Sequence, residues 1–317
     1  EPEDITMRKA VFNVVRPGWT GAQVIFNFGQ FCAKELGYKK VVIVGQDYSY
    51  PWDQAAGFIR GFLENGGEEV ERIWHPVDSV DFSSIMARLA NMADEYDAVL
   101  NNSGGAQVVA FFKQWKQFGL DAMYPQILGQ ANVPIVSMLS ELGENALGVY
   151  SSLHYYDGNP SKANQEFREN FHEAYGHYPD VIALQGYDAM NVAFKAMEAV
   201  NGEVDDSKAF ITAVRGVKMT AEESPRGPFY FDSYGNPVQN IYIKKVVKKD
   251  GMLQNIAVKT YHEVSQFGPY ADMAEKYMEA PATTRKYPPG DKEEYFAEIK
   301  KHFGEEYVQE LKANNGW

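Results

Sequence analysis

Between Lys39 and Leu89 the chain passes from a purely apolar run to a polar, aromatic turn, then to an amphipathic stretch, and then round the same cycle again. Val41, Val42, Ile43 and Val44 form an uninterrupted β-branched run, as a strand covered on both faces of a parallel sheet requires. It ends at Asp47-Tyr48-Ser49-Tyr50-Pro51-Trp52-Asp53, which sets three aromatic rings and two carboxylates at the strand's carboxyl end, the place where open α/β sheets bind ligands. A helix is predicted from about Asp53 to Asn65, with Phe58, Ile59, Phe62 and Leu63 on one face and Gly66-Gly67 as its stop. Glu69 to Trp74 then reads as a strand, closing one βαβ unit. Asp81 is placed to cap a helix with Ile85, Met86 and Leu89 as its stripe, and Asp97 to Leu100 is the third strand. Its carboxyl end is again polar: Asn101, Asn102, Ser103, Gly104 and Gly105. A helix carrying Val108, Val109, Phe112, Trp115 and Phe118 follows, then a strand near Gln126 to Leu128, a helix from about Pro134 to Leu142 and a fifth strand from Ala146 to Ser151. Strands alternating with helices in this way predict an α/β fold with a doubly wound parallel sheet of flavodoxin-like order.

Further along, Leu153 to Pro160 is an aromatic, turn-rich segment of the kind that serves as a hinge. Ser161 to Tyr175, Val181 to Val200 and Ser207 to Val214 read as helices, and Pro228 to Asp232 and Val238 to Val247 as strands joined by Ser233-Tyr234-Gly235-Asn236, with Lys248 to Gly251 turning a second hairpin. Residues 265 to 290 are loop-like, broken by Gly268-Pro269 and Pro288-Pro289-Gly290. Asp291 to Asn314 reads as one helix with Tyr295, Phe296, Ile299, Phe303, Tyr307 and Leu311 as its stripe and Gly304 as a weak point. That stripe either docks on the chain's own body or mediates self-association.

Several motifs stand in family order: Asp47-Tyr48-Ser49-Tyr50 before Ala55-Ala56-Gly57-Phe58, Asp81-Phe82-Ser83, Gln185-Gly186-Tyr187-Asp188-Ala189, Ser224-Pro225-Arg226-Gly227-Pro228-Phe229, and Asn236-Pro237-Val238-Gln239-Asn240-Ile241-Tyr242. With these the chain, from about Val11 to Glu263, resembles the type I periplasmic solute-binding proteins of ABC transporters, the group that includes leucine/isoleucine/valine-binding proteins. The resemblance implies two lobes with hinge crossovers, a periplasmic or other extracytoplasmic location, membrane subunits of a transporter as partners, no cofactor, and a small carboxylate-bearing ligand. The subgroup it is closest to is associated with aromatic and other small organic acids as much as with amino acids. On this reading residues 1–20 are the first crossover, 21–152 the second lobe, 153–235 helices of the first lobe, 236–264 return strands and 265–317 a C-terminal extension. One departure is large: on the order of a hundred residues of βαβ structure, a half-domain's worth, should open the first lobe and are not found. They are absent from the sequence, removed by proteolysis, or supplied by another chain.

The resemblance places Tyr48 and Tyr50 where family members close an aromatic ring over the ligand, with Pro51 where a glycine is usual. A tyrosine offers a flat apolar face and a hydroxyl, which suits a small organic acid or an amino-acid side chain; packing in the hinge is the alternative. Asn101, Asn102 and Ser103 could donate to a carboxylate beside the helix opening at Gly104-Gly105, or serve as ordinary turn and cap residues. Gln130 and Asn132 follow the fourth strand in the same way. His154 and Tyr155 at the second crossover could line a cleft, His154 meeting an anion or making a hinge hydrogen bond. At the first crossover Trp19 could face the cleft and Arg16 is a natural partner for a carboxylate. Gln185 lies where the family often presents a ligand contact, while Tyr187 and Asp188 read as structural.

Composition narrows the alternatives. With 30 basic against 43 acidic residues the formal charge is -13, which argues against nucleic acid and against an anionic membrane surface. The longest apolar runs fall far short of the roughly 18 residues a transmembrane helix needs. No signal peptide stands at Glu1, as expected equally of a mature secreted chain and of a cytoplasmic fragment. Cys32, the sole cysteine, sits among apolar helix residues and reads as a buried, inert thiol. The histidines are scattered, so no metal site is expected, and no nucleophile elbow, phosphate loop or zinc-protease signature is present. Asp47 and Asp53 are explained by a helix entry without catalysis. The chain therefore reads as a binding protein and not an enzyme. A flavodoxin-like enzyme would need a phosphate loop where Tyr-Ser-Tyr-Pro-Trp stands; a receptor's sensor domain or a partner-binding protein built around residues 265–317 are the other readings.

Overall fold

The computed structural model describes residues 3–124, 127–131, 133–249 and 251–315. The predicted alternation is present. Helix α1 (Phe26–Lys34) leads into β1 (Lys40–Gln46), α2 (Ser49–Leu63), β2 (Glu69–His75), α3 (Ser83–Met92), β3 (Ala98–Asn102), α4 (Ala106–Gln117), β4 (Ile127–Gly129), α5 (Val136–Leu142) and β5 (Tyr150–Leu153). These strands lie parallel in the order β2-β1-β3-β4-β5, the doubly wound order expected. The β-branched run of β1 alternates between two cores. Val41 and Ile43 pack with α1 and α2 on one face, and Val42 and Val44 with α3 and α4 on the other. Each residue of Val41–Val44 is fully buried, the reason the run carries no polar position. Cys32 is buried in the first core, where burial pushes its thiol well above the usual range.

The remaining elements are α6 (Lys162–Tyr175), α7 (Val181–Ala199), α8 (Ser207–Gly216), β6 (Lys218–Met219), β7 (Phe229–Phe231), β8 (Pro237–Lys249), β9 (Met252–Val264), α9 (Ala274–Glu279), α10 (Lys292–Phe303) and α11 (Glu305–Asn315). The β8–β9 hairpin is the spine that joins two layers. Along one edge of β8, Tyr242–Lys245 pair antiparallel with β5 while Pro237–Gln239 pair with β7; β9 covers the other edge. The small layer has its own core, in which Val192 and Ala196 of α7 meet Met219, Phe229 and Phe231. Its outer side carries an apolar stripe on α7, with Ile182, Met190 and Phe194 each more than half exposed.

Some boundaries move. The second helix begins at Ser49, four residues before Asp53, and the fifth strand runs over Tyr150–Leu153 because Gly143–Ala146 form a 3-10 turn. In α4 the buried positions are Val108, Phe111, Phe112 and Trp115, while Phe118 is exposed. Gln126 lies outside the described residues, as does Asp250 in the turn between β8 and β9. Residues 265–290 are not wholly loop: Gly268–Met273 is a 3-10 turn and α9 follows. The helix expected over Asp291–Asn314 is two helices, because Gly304 adopts a φ of 92°, which glycine enters without steric cost.

The C-terminal extension packs on its own chain. Tyr270, Tyr295, Phe296, Ile299 and Phe303 share the core with Phe28, Phe58 and Phe62, so the stripe is largely spent intramolecularly. The extension also covers the β2 edge: Val70 N–H donates to the Gly290 carbonyl at 2.8 Å and the Arg72 guanidinium to the Pro288 and Lys286 carbonyls at 3.0 Å each. Its anchor is Glu64 at the end of α2, 2% exposed, whose Oε1 accepts from both the Tyr270 and Tyr295 hydroxyls. Burial pushes this carboxyl up to about 7, against the opposing pull of the two hydroxyls and Arg60. Asp53, buried beside Glu3 under the N-terminal turn, is pushed up to about 8 for the same reason.

Both groups favour protonation in the folded chain, so the stability they contribute is complete below the unfolded values near 4 and is lost as pH rises through about 7 and 8. The melting temperature is therefore expected to fall from pH 5 to pH 8, with Glu64→Gln showing a shallower fall. Thermal unfolding across that range checks it, and an equal slope in the variant would remove Glu64 from the account.

Candidate functional site

The candidate site is built where the carboxyl ends of the parallel strands meet α7 and the segments before α1 and after β5. Trp19, in the segment ahead of α1, is fully buried; its indole N–H donates to the Tyr50 hydroxyl at 3.0 Å, and Gln54 Nε2 donates to that same oxygen at 3.0 Å. Because α2 starts at Ser49, Tyr50 and Gln54 stand one helical turn apart on one face, which is why a single hydroxyl serves both. The Trp19 ring lies 4.8 Å from the imidazole of His154 at 38°. From the other side α7 brings Leu184 into the apolar cluster of Trp19, Ala131, Leu153 and Tyr155, and sets Gln185 against Gly18, where a Cβ would stand 3.0 Å from its Nε2.

The strand ends are tied by a second set of bonds. Asn102 Nδ2 donates to the Pro51 carbonyl at 2.8 Å, Ser103 N–H donates to Asn101 Oδ1 at 3.0 Å, and Gln130 Nε2 donates to the Ser103 carbonyl at 3.0 Å. His75 Nδ1 is 2.8 Å from the Pro76 carbonyl, and Nε2 is 2.8 Å from Ser103 Oγ. A carbonyl only accepts, so Nδ1 carries the proton and the Ser103 hydroxyl donates to Nε2. Burial lowers the His75 pKa, which keeps that tautomer neutral.

The structure thus brings Trp19, Tyr50, His154 and Gln185 into one cluster, with Asn101, Asn102, Ser103 and Gln130 as a neighbouring seam at the strand ends. Tyr48 lies at the start of α2, 40% exposed. Tyr155 is buried in the cluster, but its hydroxyl donates to Asn164 Oδ1 of α6 at 2.9 Å, a fastening role. The Arg16 guanidinium donates to Thr6 Oγ1 at 3.2 Å and to the Trp19 carbonyl at 3.4 Å. Asn132 lies outside the described residues.

Two buried cations were not expected there. Arg226, 2% exposed, donates through Nη1 to the Pro17 carbonyl at 2.8 Å and to Gln239 Oε1 at 2.9 Å, and its Nε is 3.1 Å from Asp188 Oδ2 of α7. Burial lowers its pKa to about 10 while Asp188 pulls it back up. Lys244, on β8 opposite Ser151, reaches the Ala131 carbonyl at 3.4 Å; burial lowers it to about 8. Lys244 is a polar break in the apolar run Ile241 to Val247, whereas Arg226 is marked only by its place in the Ser224 to Phe229 motif, which gives it no role. Several polar atoms in this region are buried with no hydrogen-bond partner among the described residues: Gln54 Oε1, Asn101 Nδ2, Asn102 Oδ1, Ser151 Oγ, Gln185 Nε2 and both ring nitrogens of His154. Native interiors leave few polar groups in that condition, so their concentration here makes the junction the candidate site. Among the described residues no group of His, Cys, Asp or Glu is placed to hold a metal ion, and no helix is long and apolar enough to cross a membrane.

A doubly wound sheet, a second layer joined to it through the β8–β9 hairpin, and a polar, aromatic cluster at the junction together define an α/β protein of two layers. Residues 3–251 match the family described as periplasmic binding protein, and the chain belongs to that family. Leu/Ile/Val-binding protein homolog 6 of Brucella melitensis biotype 1 is 34% identical over 235 residues, 73% of this chain and 59% of the relative. The chain therefore spans 59% of the length of the curated relatives it matches. The solute-binding protein of an ABC transporter from Rhodopseudomonas palustris BisB5, solved with 3,4-dihydroxybenzoic acid, is 34% identical with a TM-score of 0.73, covering 80% of this chain and 68% of that one. An R. palustris solute-binding protein solved with benzoate is 28% identical with a TM-score of 0.72, covering 82% and 69%.

Proposed function

We propose that this chain is the solute-capturing part of an ABC importer, working outside the cytoplasm, and that it takes a small carboxylate-bearing ligand, an aromatic acid in preference to a branched-chain amino acid, at the junction of its two layers. The observation that carries the reading is the set of buried, partnerless polar atoms gathered beside the Trp19, Tyr50 and His154 rings at the strand carboxyl ends. Rings supply flat apolar contact and the amides supply orientation, which is the make-up of a small-molecule site. Membership of the periplasmic binding protein family and the aromatic acids held by the R. palustris proteins support it. Capture requires no chemistry, since a ligand that binds better between the layers when they are closed shifts the population toward the closed form.

A panel of benzoate, 4-hydroxybenzoate, 3,4-dihydroxybenzoate, leucine and valine, followed by calorimetry, tests this. At least one acid is expected to bind at micromolar Kd or better, with benzoates ahead of the aliphatic amino acids. No binding by any of them would sink the reading. A partner-binding role draws its support from the exposed Ile182, Met190 and Phe194 stripe on α7, because contiguous exposed apolar surface marks association sites. Ligand-silent protein that is oligomeric by light scattering would favour that second reading.

A further inference from the structure

Resting on the capture of an acid described above, the geometry points to a carboxylate subsite at the hinge formed by His154 and Gln185 against the Gly18-Trp19 segment, where acid binding is coupled to uptake of a proton by His154. His154 follows β5 directly on the return crossover and is fully buried, yet neither Nδ1 nor Nε2 has a hydrogen-bond partner among the described residues. A neutral imidazole has one donor and one acceptor, and leaving both without partners in the interior is costly. Gln185 Nε2, from α7 in the other layer, is likewise buried without a partner and lies against Gly18, the neighbour of the Trp19 ring that covers the imidazole. Two N–H donors from the two layers therefore lie against one short segment, as a planar carboxylate would require of a site that closes around it.

Charge around the imidazole fits an anion. Arg226, held to the Pro17 carbonyl two residues before Trp19, and Lys244 on β8 both act on His154. Asp188 answers Arg226, and Asp157 of the second crossover acts on Lys244. In the apolar cluster with Trp19, Tyr50 takes the indole N–H on its hydroxyl, and the Tyr155 hydroxyl has its pKa raised by burial, which keeps it neutral. Burial and the two cations keep the imidazole neutral without ligand, well below its ordinary value. A carboxylate placed against it offsets those cations and favours the imidazolium. The step balances as neutral His154, one carboxylate and one proton from solvent giving an imidazolium-carboxylate pair, with no bond made or broken beyond that proton.

The test is calorimetry of the full chain with 4-hydroxybenzoate at pH 6 and pH 8, in two buffers of different ionisation enthalpy, with 4-hydroxybenzamide as the neutral isostere. Proton uptake approaching one per acid bound at pH 6 is expected, with affinity for the acid falling by up to about tenfold per pH unit as the imidazolium form becomes harder to populate. The amide should bind at least about tenfold more weakly than the acid, a loss typical of one missing charge-assisted bond. His154→Gln, checked for folding by circular dichroism, should bind without proton uptake and with the acid preference reduced. Should that variant not fold, the imidazole resonances of the wild-type protein report the same protonation on adding acid. Acid binding with no proton exchange and no preference over the amide would overturn the subsite while leaving solute capture standing; absence of any acid binding would overturn both.

Discussion

Arg226→Met is expected to destabilise the protein by about 3–5 kcal/mol, the range found when one partner of a buried charge pair is removed. The guanidinium joins three segments distant in sequence: the Pro17 carbonyl on the first crossover, Gln239 on β8, and Asp188 on α7, with the guanidinium carbon 3.6 Å from the centre of the Phe229 ring. Removing it leaves the Asp188 carboxyl, fully buried, with the Ser224 hydroxyl, donating at 2.9 Å, as its remaining partner among the described residues. Burial already raises the Asp188 pKa against the pull of Arg226, so the orphaned group would protonate instead of staying charged, which limits the loss to the lower part of the range. Asp188→Leu combined with Arg226→Met should recover a large part of the stability, because an apolar pair no longer buries an unanswered charge. Urea unfolding of the single and double variants measures this. A loss below about 1 kcal/mol in the single variant would mean that the junction of the two layers does not depend on this pair.

Gly61→Val is expected to cost about 3 kcal/mol or more, at or beyond the upper end for overpacked interiors. Helices α1 and α2 cross with their backbones in direct contact. A Cβ at Gly61 would stand 1.9 Å from the Phe26 carbonyl oxygen, and one at Gly29 would stand 2.3 Å from the Phe58 carbonyl oxygen. Neither oxygen belongs to a side chain that can swing away, so the helices must separate. Separation would loosen Phe28 against Phe58 and the extension packed over both. It would also shift Tyr50 and Gln54 at the start of α2, so weaker ligand binding should accompany the lower stability. Gly37→Ala is the control, since nothing lies near its Cβ position and the strain is confined to its φ of 73°. Equal effects of the two substitutions would show that helix separation is not the cause.

Much of the fold is legible along the chain because burial on both faces leaves a local record. The β-branched run of β1, the Gly66-Gly67 stop after α2 and the Asn101 to Ser103 strand end each reflect an environment repeated at neighbouring residues. The boundaries that moved are those set by the backbone conformation of single turns, as at Gly143–Ala146 and Gly304. The last stretch of the chain reads as one stripe from Tyr295 to Leu311, but the turn at Gly304 lets its two halves wrap a curved surface made by α1 and α2.

The candidate site divides in the same way. Trp19, Tyr50, His154 and Gln185 are recognisable from residue type and motif, since aromatic and amide groups at strand ends and crossovers are uncommon without a use. Arg16 and Arg226 show where that kind of reading stops. Each is a cation within a short turn-rich segment, and nothing in their neighbours tells which one faces Thr6 and which one locks α7 to the crossovers. The amino-acid sequence by itself determined the alternation of elements, the class of sheet and the chemical character of the junction, because those follow from periodicity and side-chain type. The tertiary structure alone decided the direct backbone contact at Gly29 and Gly61, the cation that ties α7 to β8 and to Pro17, and the lack of a partner for His154 among the described residues, because each depends on atoms brought together from far along the chain.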